Sequence, residues 1–127
     1  SSFPLNVSEM AICATARGWD SDYIFSSHSQ GALKAGVDVA IIDAMQRGER
    51  PAFTKKDEEA VYDFALELVA NRKISDATYK RVMDMYGVEK TVELSALIGY
   101  YSLVACTILA HEMPVPEGGR RLAPRKN

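Results

Sequence analysis

The stretch "LSALIGYYSLVACTILA", Leu94 to Ala110, runs 17 residues without a charge, and its reading decides the fold. It falls just short of the length a helix needs to cross a bilayer core of roughly 30 Å, and Glu93 directly precedes it. Ser95, Gly99, Ser102 and Cys106 recur within it at spacings of four, three and four. Those spacings stack on one helix face and make a stripe where another backbone can come close. A helix this long and apolar all round is expected to be buried in a core or between subunits rather than to span a membrane.

Working outward from it, the remaining apolar positions are also spaced for helices, with almost no strand signal. Val61, Phe64, Ala65, Leu68 and Val69 share one face of a helix opened by Thr54, with Asp57, Glu58 and Glu59 near its start, favourable to the helix dipole. Ser75 caps the next, which carries Tyr79, Val82, Met83 and Tyr86 and ends at Gly87; the long apolar helix then runs from about Glu89 to His111. Toward the N-terminus, Val7 to Arg17 reads as a helix capped by Asn6, with Glu9 placed for a capping box and Gly18 ending it. A second begins near Asp20 or Ser21 and ends at Gly36. Asp38 caps a short third, "VAIIDAMQR", closed by Gly48, and "GERPAF" follows as a polar loop. The expectation is one all-α domain of about six helices over residues 1–112, followed by an extended Pro/Gly/basic tail at 113–127.

Composition narrows the function classes. A net charge of −2 provides no field for nucleic acid or an anionic membrane. The basic residues Arg120, Arg121, Arg125 and Lys126 are then expected to belong to a solvated or partner-draped tail rather than a nucleic-acid arm. The two cysteines, Cys13 and Cys106, lie far apart in apolar helical patterns. They read as buried, inert core residues, neither a disulfide framework nor a metal site. A thiol-dependent antioxidant is the weakest of the functions considered. No signal peptide is evident, so a reducing cytoplasm is the simplest location. Serine at position 1 points to processing or a fragment. Its hydroxyl is a weak candidate nucleophile, because nothing around it supplies an oxyanion hole.

His28 and Glu9 carry the candidate chemistry. On a helix His28 shares its side with Ile24, Phe25 and Ala32, so the imidazole points toward apolar surroundings. A histidine so placed is either a general base near neutral pH or a core residue hydrogen-bonded to a backbone carbonyl. Glu9, with Leu5, Ile12 and Cys13 beside it, is either an inward carboxylate that exchanges protons with His28 or an ordinary capping residue. His111, at the end of the last helix, interacts with the helix C-terminus or lines a site.

The segments "SEMAICATARGWDSDYIFSSHSQGALKAGV", "VYDFALELVANRKISDATYKRVMDMYG" and "VELSALIGYYSLVACTILAHEMPVPEG" resemble, in this order, the carboxymuconolactone decarboxylase family, part of the alkylhydroperoxidase D-like superfamily. The resemblance spans about Ser8 to Gly118. It implies an all-α fold assembled into trimers or hexamers, with sites near subunit contacts. The peroxidase branch uses a glutamate, a CxxC pair and a histidine. By spacing these fall on Glu9, on Ser21 and Ile24, and on His28, so thiol peroxidase activity is expected to be absent. Other relatives place a tyrosine, acids and a tryptophan before the histidine. Asp22 and Tyr23 match that pattern, while Ile24 and Phe25 replace an acid and the tryptophan. Relatives with this ending also carry a further stretch before the position matching Ser8. The resemblance therefore implies that a neighbouring subunit or a companion chain covers apolar surface on the first helix.

The expected activity is cofactor-free and metal-free proton transfer, a decarboxylation or isomerisation of a small organic acid or lactone. His28 is general acid/base, Glu9 its relay partner, and Tyr23 a donor to the developing enolate; Asp22 and Phe25 contact the substrate. The alternative is a non-catalytic subunit or scaffold of a helical oligomer.

Overall fold

Local signals set several of the helix ends. The computed structural model describes residues 1–126, and among these there are five helices and no strand. They are α1 (Leu5–Trp19), α2 (Asp22–Lys34), α3 (Val39–Arg47), α4 (Lys56–Asn71) and α5 (Asp76–Ala110). Ser21, Asp38 and Ser75 each accept a backbone N–H of the first turn that follows, which satisfies a donor the helix itself leaves unpaired. Gly48 closes α3 in the left-handed region. α5 is one run by hydrogen bonding but is interrupted at Gly87, with φ 80° and ψ 179°. A residue without Cβ takes that conformation at little cost. The break separates the two helices that the sequence predicts on either side of it.

Three expected ends differ. α1 starts at Leu5 behind Pro4, with no side-chain cap. The side chains expected to cap it are engaged elsewhere: Asn6 donates to Glu58 at 2.8 Å, and Glu9 turns to α2. α1 also runs past Gly18 and stops at Asp20, which is itself left-handed (φ 55°). Gly18 serves packing instead, since a Cβ there would lie 2.8 Å from Val69 Cγ1 on α4. Thr54 is not the cap of α4; Lys55 occupies that place without a side-chain bond.

α1 is the central element, packing most extensively on α4, then on α2, with α5 lying against both α1 and α4. Val7, Met10, Ala11, Cys13, Ala14 and Ala16 are inaccessible to solvent, and the small side chains among them let three helices approach α1 closely. The long apolar helix is only partly covered within the chain. Leu94, Ile98, Ala105 and Ile108 face the core, while Val88, Val92, Tyr100 and Leu103 are exposed. Only 22% of its most apolar window is buried within the chain. Cys106, expected in the core, is exposed on this helix, whereas Cys13 is buried as expected. By length and composition α5 could cross a membrane, but one such helix is weak evidence for that.

Beyond α5 the described residues have no regular structure, as the prolines and glycines require; position 127 of the expected 113–127 tail lies outside the described residues. The tail folds back over α1, α2 and α3. Leu122 N–H donates to Asp22, Ala123 N–H to the Gln46 carbonyl and Lys126 N–H to the Gly48 carbonyl. Arg120 pairs with Asp43 and Lys126 with Glu49. Arg17, with a side chain only 3% exposed, is satisfied partly by this strap: Nη1 donates to the carbonyls of Met45 and Ala123, and Nη2 to Asp20.

Candidate functional site

α1 and α2 bring Glu9 and His28 together. Glu9 Oε2 lies 2.8 Å from His28 Nδ1, with side chains 19% and 25% exposed. The pair is therefore half-buried and reachable, not sealed inside an enclosed hollow. Ser21 and Asp22 start α2 close to the end of α1, so the two helices pack side by side and residues 19 positions apart meet. With Nδ1 occupied by the carboxylate, the free ring nitrogen is Nε2. The partner of one imidazole nitrogen fixes which nitrogen carries the proton.

The sequence does not point to the third member of the cluster. Tyr101, on α5, sets its ring 5.0 Å from the His28 ring at 78° between planes, an edge-to-face contact. Burial, then the nearby Glu9 carboxylate and Tyr100, push the Tyr101 phenol above its ordinary value. Tyr100 in turn packs edge-on to Tyr101 at 5.2 Å. Because Tyr100 is exposed, an aromatic path links the Glu9–His28 pair to the outer apolar face of α5. The doubled tyrosine in "GYY" was the available signal, but pairing α5 with α2 depends on tertiary packing.

The other expected site residues lie elsewhere. Tyr23 is five positions before His28, about 140° around the helix, and lines a cleft of about 440 Å³ with Asp20, Ile108, Met113 and Arg121. Asp22 accepts the Leu122 N–H at 2.9 Å and so anchors the tail. Phe25 is fully buried among core side chains. Ser21 is also fully buried, its hydroxyl used as the cap of α2, and Ile24 is a core residue. Burial pushes the Cys13 thiol up, and Glu9 adds to the effect, so it is held protonated. Among the described residues no group of three or more His, Cys, Asp and Glu side chains is placed to hold a metal ion.

No protein-family model, no curated protein and no solved structure matches this chain.

Proposed function

We propose that the chain is a carboxymuconolactone decarboxylase-like, cofactor-free proton-transfer catalyst acting on a small organic acid or lactone. The observation that supports this most is the 2.8 Å contact between Glu9 Oε2 and His28 Nδ1. In the proposed reaction Glu9 orients the imidazole and stabilises the imidazolium. In an isomerisation Nε2 takes a proton from the carbon next to the substrate carbonyl and delivers it to another carbon of the resulting enolate. In a decarboxylation the C–C bond to the carboxylate breaks, CO2 leaves, and Nε2–H of the imidazolium protonates the enolate carbon. Fixing the acid–base group beforehand lowers the orientational cost of that step. Tyr23, at its distance around α2, has no place in this scheme; Tyr101 is the aromatic beside the base.

The reading includes a cytoplasmic homo-oligomer, a trimer or hexamer, or a companion chain supplying the covering helices. The exposed Val88, Val92, Tyr100 and Leu103 support it, because an apolar face of that extent favours a protein neighbour. Such a neighbour would also shield the half-open pair from water. The test is turnover of a panel of lactones and β-keto acids by wild type and His28→Ala. Loss of about 10²–10⁴ in kcat supports the reading; equal rates for the two proteins overturn it. The same exposed face supports a second reading, a non-catalytic scaffold subunit. A stable oligomer that binds and turns over none of the panel would favour it.

A further inference from the structure

We propose that Gly31 is a positioning residue for the Glu9–His28 pair, the one place on α2 where the absence of a side chain lets the carboxylate reach the imidazole. This rests on the pair itself, and so on the same site as the proposed reaction, but not on any substrate.

Gly31 lies inside α2, and its backbone is not among the left-handed positions of the chain. No backbone conformation there calls for glycine, and glycine is a poor choice within a helix. What the position lacks is Cβ. A Cβ built there would lie 2.9 Å from Glu9 Oε1, 3.0 Å from Cδ and 3.2 Å from Oε2, the whole carboxylate group. Gly31 is three residues beyond His28, one turn along the same face. The carboxylate therefore lies flat against the bare backbone of α2 while Oε2 meets Nδ1. Tyr101 closes the ring from the α5 side. Gly18 is a useful contrast: its missing Cβ makes room for the branched Val69 side chain on α4. At Gly31 the displaced atoms are the end of a flexible side chain. A methyl group there should turn the carboxylate away and leave the fold standing.

The experiment is ¹⁵N NMR of the His28 ring at a pH where it is neutral, in wild type, Glu9→Ala, Gly31→Ala and the double variant, with thermal melting alongside. Wild type should show the Nδ1–H tautomer. Gly31→Ala should lose it to the same extent as Glu9→Ala, and the double variant should show no further change. Alanine should raise the melting temperature by about 2–4 °C in the Glu9→Ala background, where nothing opposes its better helix propensity. An Nδ1–H tautomer that persists in Gly31→Ala overturns the inference while leaving the pair intact. Its absence from wild type defeats both the pair and the proposed reaction. Should Gly31→Ala fail to fold, recovery in the double variant places the collision at the carboxylate, and continued failure overturns the proposal.

Discussion

Two charged clusters in this molecule are built to opposite specifications. On one side Asp63 of α4, 10% exposed, accepts from Arg50 through both oxygens, at 2.5 and 3.1 Å, and from Arg81 of α5 at 2.9 Å. Arg50 also reaches Glu59, and Arg81 reaches Thr78. The Asp63 hydrogen bond, then its charge, raise the guanidinium of Arg50 further above its already high value, so Arg50 stays charged at any ordinary pH. It pins the 50s loop to α4 and α5. On the other side Glu9 and His28 form a pair with one ring nitrogen unclaimed by the carboxylate, half-open to solvent. Saturated charge fastens structure; an acid–base pair with capacity to spare is the arrangement that chemistry requires.

The contrast can be broken at either end. The largest effect is expected in rate: His28→Ala should cut turnover by about 10²–10⁴ while costing about 1 kcal/mol of stability, because the Glu9 carboxylate left behind still reaches solvent. Asp63→Ala should do the reverse. It should leave the His28 tautomer unchanged and cost about 2 kcal/mol in urea denaturation, less than a sealed pair would, since Arg50 and Arg81 can turn to water. Gly18→Ala should cost about 1–3 kcal/mol through the collision with Val69, the opposite sign from alanine at Gly31 once Glu9 is removed.

Smaller effects depend on pH. Tyr62, beside Arg50, and Tyr101, beside His28, are both raised mainly by burial, and Tyr86 is raised to about 12 for the same reason. A raised folded value means the folded state keeps protons that the unfolded chain gives up. The associated stability is complete below about pH 10 and falls as pH rises toward 12, measurable as a declining melting temperature across that window. The smallest effect is at the strap. Hydrogen bonds from Lys126 and Arg47 lower the Glu49 carboxyl, so this anchor is present above the ordinary glutamate range and is lost as pH falls through the lowered value. Acid should therefore speed proteolysis of residues 120–126 before the helices melt.

How much of this the sequence discloses follows from how local each decision is. Ser21, Asp38, Ser75 and the Gly87 break are visible because their causes lie within a few residues. Asn6 and Glu9 look like capping residues by the same local rules. Partners 52 and 19 positions away claim their side chains instead. Glu9 and His28 are visible in the sequence as candidates, but their meeting is not, because nothing linear fixes the distance between two helices; Tyr101 and Gly31 likewise acquire meaning only when α5 and α1 are laid against α2. Cys106 misleads because apolar composition predicts burial, while the outer side of α5 has no cover within this chain.

The strap has an implication for biogenesis. Arg17 is made before the tail that helps to satisfy it, since one of its carbonyl acceptors belongs to Ala123. Until that residue follows more than a hundred positions later, a guanidinium buried beneath α3 is short of a partner. Completion of the fold around Arg17 is thereby tied to residue 123 having left the ribosome, and a nascent chain stalled before that point should stay a substrate for chaperones.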